Sequence, residues 1–366
     1  MKEGWEYKKL GDLCQVLDSQ RKPVTKKDRT KGIYPYYGAT GIQDYVDSYI
    51  FDGRFLLVGE DGAKWGASDK TAYILEGKSW VNNHAHILKV LENVNDRLLE
   101  YYLTFKDLSE YITGAVVPKL TQKALVSIPI PIPPLSEQQH IVEELDLLSS
   151  IIEKKKAQLN ELNNLAQSLY YEMFGDPITN EKGWEVKKLG EICSFSQGVQ
   201  VDVSEQSTEK IPGWNRFLRI VDYTTDNDDI RYVNVNDPKF ILNKDDIAMV
   251  RYGASVGTSD IGKEGVLANN LFKINYSKYV FNKYYLLYSF HTKYFKAFIN
   301  TVSFGAAMPA LSFKVIKDFQ ILQPPLSCQQ SFATKIETIE HQKELIKQSI
   351  KEVETLFNSR MDFYFN

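Results

Sequence analysis

The chain has 366 residues, more than one compact domain usually holds, and its 43% hydrophobic content suffices for two or more cores. A net charge of −3 and a pI near 6.1 exclude indiscriminate coating of polyanions, although local charge placement still decides what a surface binds. No apolar run approaches the roughly 18 residues that cross a bilayer, and the start Met1-Lys2-Glu3-Gly4-Trp5-Glu6 lacks a secretory apolar region, so a cytoplasmic protein with no membrane partner is expected.

The chain opens with Gly4-Trp5-Glu6-Tyr7-Lys8-Lys9-Leu10-Gly11-Asp12-Leu13-Cys14, inside a modest basic segment. Between residues 2 and 31 that segment holds Lys2, Lys8, Lys9, Arg21, Lys22, Lys26, Lys27, Arg29 and Lys31 against five acids. Short β segments follow, among them Ile50–Val58 and Ala72–Gly77, with Gly and Asp at the breaks. The 22 Tyr and 19 Phe suit such β-rich domains. After Pro133-Pro134, Ser136 is expected to cap a long helix, with Gln139 at the capping-box position. Its apolar stripe runs Ile141, Leu145, Leu148, Ile152, Leu159, Leu162, Leu169 and Met173, interrupted at Lys155 and Ala166.

The chain is then written a second time. The opening returns as Gly183-Trp184-Glu185-Val186-Lys187-Lys188-Leu189-Gly190-Glu191-Ile192-Cys193, with eight of eleven positions matching. Leu56–Gly66, containing Gly62-Ala63-Lys64-Trp65-Gly66, parallels Ile247–Gly257, containing Gly253-Ala254-Ser255-Val256-Gly257. Asn82-Asn83 parallels Asn269-Asn270, and Pro133–Gln139 returns as Pro324–Gln330. All four matches keep one order, which marks a tandem duplication of about 180 residues. The second helix opens at Ser327 and Gln330, with a stripe Phe332, Ile336, Ile339, Ile346, Ile350, Val353, Phe357 and Tyr364, interrupted at Lys343 and Arg360.

Each helix of nearly 40 residues would be about 60 Å long and is expected to pack on its counterpart. Only a short link joins Phe174 to Trp184, which makes the pair antiparallel, with one globular domain at each end and an internal pseudo-two-fold repeat. The expected fold class is α+β. Residues 1–117 and 176–308 form the globular domains, and 118–175 and 309–366 form the junctions and long coiled-coil helices.

This layout resembles the specificity subunits of type I restriction-modification systems over essentially the whole chain. The resemblance rests on the Gly-Trp opening and on the junction Ile130-Pro131-Ile132-Pro133-Pro134-Leu135-Ser136-Glu137-Gln138-Gln139-His140-Ile141. Tyr34–Ile42 and Trp80–His86 add to it, since both look like one class of target-recognition domain. The second copy lacks the Tyr-Pro-Tyr-Tyr-Gly segment and has Gln323-Pro324-Pro325 at its junction, implying a different recognition subclass and a different half-site. The resemblance implies a non-catalytic reader of double-stranded DNA serving two methyltransferase and two restriction subunits. S-adenosylmethionine, ATP and Mg would belong to those partners, and this chain would hold no cofactor.

Reading DNA requires cations or amides for phosphates and polar side chains for base edges. The candidates in the first copy are Arg21, Lys22, Tyr37, Thr40, Lys64, Trp65, Asn82, Asn83 and His84; in the second they are Arg216, Arg219, Arg251, Tyr252, Ser255, Asn269 and Asn270. Arg251-Tyr252 and Lys64-Trp65 suit phosphate contact or stacking, and the asparagine pairs suit adenine or, alternatively, turn duty. Arg219, between Leu218 and Ile220, fits the exposed face of a strand, and the same holds for His84 and His86 at i, i+2, a metal pair without a third ligand nearby.

Cys14, Cys193 and Cys328 have neither the number nor the spacing of a disulfide framework or zinc site. No methyltransferase Asn/Asp-Pro-Pro-Tyr/Phe motif and no Walker loop occurs, and Asp69, Glu76 and Lys78 imitate a nuclease triplet without a counterpart in the second copy. Two alternatives stay open: the reading subunit of a methylation-only or phage-defence methyltransferase, and a coiled-coil scaffold that binds no DNA.

Overall fold

A computed structural model describes residues 4–114, 116–225, 229–303 and 309–366. Lys2 of the basic segment and the expected boundary at 308 lie outside these residues. The chain divides into two compact units, the first comprising Met1–Lys156 with Ser349–Asn366 and the second Ala157–Gln348.

In the first unit the repeated opening becomes a strand, Glu6–Lys9, paired antiparallel with the junction strand Pro129–Ile132 so that Glu6 faces Ile132 and Lys9 faces Pro129. The two prolines sit in a two-stranded ribbon, where a missing N–H costs no inner ladder bond. A six-stranded sheet follows in the spatial order Cys14–Val16, Ala85–Val90, Phe51–Gly59, Ala72–Val81, Lys31–Gly38, Gly41–Val46. The helix Asp96–Phe105, capped by Asn95, covers it and buries Leu98, Leu99 and Leu103. The expected boundary at 117 falls inside a small hairpin formed by Ile112–Thr113 and Lys119–Leu120, and Leu120 N–H bonds back to Glu60 O in the first unit.

The second unit repeats the ribbon, Glu185–Lys188 against Gln320–Gln323, with Glu185 facing Gln323. Its β structure then departs. A four-stranded sheet (Cys193–Gln197, Leu271–Tyr276, Ile247–Val250, Ser259–Asp260) accompanies a separate five-stranded one that includes Asn215–Leu218 and Gly265–Leu267. The helix Lys283–Ser289, capped by Asn282, takes the place of the first unit's capped helix.

Leu135–Phe174 and Leu326–Phe365 are helices of 40 residues each, and the division between units passes through both. Within the first unit Glu144 pairs with Arg360 and Lys156 with Glu354, so rising numbers on one helix meet falling numbers on the other. Within the second unit Tyr170 and Phe174 pack on Phe332. The helices are therefore antiparallel in each unit.

Two expectations need correction here. Ser136 and Ser327 lie inside the first turn instead of capping it, because the helices start at Leu135 and Leu326 with Pro134 and Pro325 carbonyls accepting the first N–H groups. Ala166, read as an interruption, is fully buried with Tyr170 and Phe174, whereas Leu162, Leu169 and Met173 are half-buried. The seam there follows an i, i+4 ridge in which alanine lets large aromatic rings close over it.

Candidate DNA interface

The first unit's candidate rim is where three turns of the six-stranded sheet meet. Asn82 N–H donates to the Tyr37 carbonyl at 3.0 Å, and Glu60 N–H donates to the His84 carbonyl at 2.8 Å. The Asn82 carboxamide donates to Gln43 Oε1 at 3.4 Å and accepts His84 N–H at 2.8 Å. These bonds set the Gly38–Gly41 turn, the 82–84 turn and the 60–66 loop side by side. Thr40, Lys64, Asn83 and His84 stand at its surface, His84 against Asp61. Lys22 is exposed too, with its carbonyl accepting Trp80 Nε1–H. Tyr37 is half-buried, stacked on Tyr73 at 5.9 Å.

Three candidates of this unit serve the fold instead. Trp65 is 9% exposed and donates its indole N–H to Gly59 O at 3.1 Å, because the loop folds back over the core. Asn82 is 2% exposed and closes its turn, as the alternative for asparagine pairs allows. Arg21 is half-buried between Glu60 at 2.5 Å and Asp18 at 3.3 Å and donates to Ala85 O at 2.7 Å. Lys119 reaches Glu60 from the other side at 2.6 Å, and His86 sets Nδ1 2.5 Å from Asp18 and Nε2 2.7 Å from Leu120 O.

Burial raises the Asp18 carboxyl, but the His86 bond and charge, the Ile87 N–H and Arg21 outweigh it and hold it below the usual carboxylate range. His84 and His86 do not share a strand face: His84 is in the turn, and His86 starts inward from the strand Ala85–Val90. Asp18, Glu60 and His86 offer ligand atoms within 4.8 Å of one another, yet Arg21 and Lys119 already balance the carboxylates, so the donor set does not fit a divalent ion.

The second unit rebuilds the same frame. Arg251 N–H donates to Asn270 O and Leu311 N–H to Arg251 O, both at 2.9 Å; in the first unit Glu60 N–H donates to His84 O and Leu120 N–H to Glu60 O, both at 2.8 Å. Gly62 and Gly253 take the same place at φ +69° and +84°, with nothing near a would-be Cβ, so they serve the turn and not close approach. By this frame His84 matches Asn270, so the asparagine correspondence moves by one and Asn83 matches Asn269.

Arg251 lies against the Tyr252 and Phe313 rings, and Tyr252 and Ser255 are half-buried in the loop. Asn269 N–H donates to Val199 O at 3.0 Å, tying this rim to the 197–199 segment. Arg216 and Arg219 are committed elsewhere, to Asp222 at 2.8 Å and Asp229 at 3.1 Å respectively. Arg219 follows the strand Asn215–Leu218 instead of lying in it, since its N–H turns to Asp222 and opens a short helix.

Asp69, Glu76 and Lys78 do not converge: Asp69 accepts Gly66 N–H, Glu76 pairs with Arg54, and Lys78 lies over Tyr49. Sequence reasoning passed over Gln138 and Gln329. Each is buried and accepts the N–H of the helix-capping asparagine, Asn95 at 2.8 Å or Asn282 at 2.9 Å, while donating to Pro133 O or Pro324 O. The signal was present, because this glutamine is identical in both Pro-Pro-Leu-Ser junctions.

Two repeat units offer the same loop frame with different side chains. The type I restriction modification DNA specificity domain matches residues 2–164 and 181–355, and the chain belongs to that family. It is a DNA-recognition subunit of the type I restriction-modification class, not an enzyme.

S.HindORF215P of Haemophilus influenzae, a type I specificity subunit by name, is 41% identical over 146 residues, 40% of this chain and 38% of that one. The MjaVIII specificity subunit of Methanocaldococcus jannaschii is 22% identical over 386 aligned residues, covering 96% and 90%. A crystal structure of the S subunit from M. genitalium matches in fold with a TM-score of 0.62 at 14% identity, covering 98% of this chain and 95% of that one.

Proposed function

We propose that the two units each read one half of an asymmetric bipartite site in double-stranded DNA, and that the long helices dock two methyltransferase subunits and, in the full assembly, two restriction subunits. The observation that carries this is the shared loop frame bearing different side chains. One scaffold then presents two unlike rims, so the half-sites differ. Thr40, Lys64, Asn83 and His84 serve one half-site, and Arg251, Tyr252, Ser255, Asn269 and Asn270 the other. Exposed leucines on the helices, Leu147 and Leu356 in the first unit and Leu165 and Leu345 in the second, suit partner docking. S-adenosylmethionine, ATP and Mg act on those partners, in the cytoplasm.

Selection from randomised duplexes tests the reading: two short motifs separated by an unread gap are expected. Inserting one heptad after Ala157 and one after Gln348 should keep both motifs and widen the gap by roughly three base pairs, since seven helical residues add about 10 Å. An active insertion variant that retains the original gap would refute it.

A further inference from the structure

The chain has nine arginines, and eight of them sit within 4.0 Å of a carboxylate. Arg251 alone has no such partner among the described residues. Its guanidinium carbon instead lies 4.9 Å from the Tyr252 ring centre and 5.0 Å from that of Phe313. Phe313 is itself braced, stacked on Phe195 at 5.7 Å and edge-on to Phe272 at 5.4 Å.

The Nε of Arg251 is buried without a hydrogen-bond partner. So is Oδ1 of Asn270, the residue whose carbonyl accepts the Arg251 N–H. Buried polar atoms are normally satisfied, and an unneutralised charge beside them is costly to keep. Arg251 is half-exposed, so what a ligand would meet is its unneutralised guanidinium, while these two atoms stay shielded.

The chemistry narrows that ligand. A guanidinium held against two rings is a planar fork of fixed direction, and in the major groove such a fork matches the paired O6 and N7 acceptors of guanine. A phosphate contact needs charge near the backbone but not a braced plane, and lysine serves it as well. We propose that Arg251 reads a guanine in the half-site bound by the second unit. The proposal rests on DNA reading by this rim.

The test uses the full chain and selection from randomised duplexes, comparing wild type with Arg251→Lys and Arg251→Gln. Wild type should enrich an invariant guanine in one half-site. Arg251→Lys keeps the charge but loses the fork, so discrimination at that position should fall about ten- to hundredfold while every other position holds. Arg251→Gln should shift the same position toward adenine. Replacing that guanine by 7-deazaguanine, which lacks the N7 acceptor, should weaken wild type and not the lysine variant. Uniform weakening across all sequences with a shallower salt dependence and unchanged preference would make Arg251 a phosphate contact and overturn the guanine assignment. If wild type enriches no sequence at all, DNA reading by the chain fails, and the assignment with it.

Discussion

Glu60 and Arg251 occupy one position of the duplicated frame, held by the same two backbone bonds, and they carry opposite charge. In the first unit the carboxylate turns inward and is neutralised by Arg21 and Lys119, so the position is structural, and the residues proposed to read are Thr40, Lys64, Asn83 and His84 around it. In the second unit the guanidinium has no counter-ion among the described residues and stays half-exposed. A single backbone geometry thus holds either a neutralised anchor or an unpaired cation, the one proposed to read, and the difference lies in whether the neighbouring strands supply the opposite charge.

The strongest way to break this comparison is to remove each charge in turn. Glu60→Leu leaves Arg21 with Asp18 alone and removes the carboxylate that Lys119 reaches, and should cost about 3 kcal/mol, read by urea unfolding. Arg251→Leu breaks no ion pair among the described residues and should cost no more than about 1 kcal/mol. Equal losses would mean that the two positions do the same work. A smaller effect is expected where the units agree. Gln138→Leu and Gln329→Leu each leave the N–H of a capping asparagine without its acceptor, so each should cost about 1–3 kcal/mol.

Within the first rim, Asn82→Ala removes the acceptor that closes the turn and should cost about 1 kcal/mol, whereas Asn83→Ala should leave the melting temperature unchanged and relax one base preference. A drop in melting temperature for Asn83→Ala with base preference intact would assign that residue to the turn. Acid should also separate the units. Burial holds the His291 imidazole below its ordinary 6.5, so the unfolded chain takes up that proton first; the stability it contributes is present above about pH 6.5 and lost as the pH falls through the folded value. Asp18 is held below 3.8, so its contribution persists above that pH and is lost only as the pH falls through its folded value. Hydrogen exchange should therefore rise in the Lys283–Ser289 helix at milder acidity than in the strand Ala85–Val90, and the reverse order would contradict the placement of these groups.

The tandem repeat, both long helices and the α+β class were legible in the chain, because repeated motifs and apolar periodicity are local patterns. The exposure of Thr40, Lys64 and Asn83 was also legible, as polar residues in turns that the fold leaves at the surface. Trp65, Asn82, Arg21, Arg216 and Arg219 were not. A cation or an amide at a turn looks the same in sequence whether it faces solvent or a carboxylate from a distant strand.

Local order along the chain determined the duplication, the antiparallel sense of the helices and the places where loops would be. Only tertiary structure decided which loop residues remain free. Arg21 meets Glu60 across 39 residues, and Arg216 and Arg219 each find an acid within ten. Phe313 reaches Arg251 from 62 positions downstream and brings no charge. Ion pairing is settled by which side chains the sheets bring within about 4 Å, where Coulomb attraction outweighs the loss of water. That proximity is a property of the pairing of strands, which no stretch of sequence contains by itself.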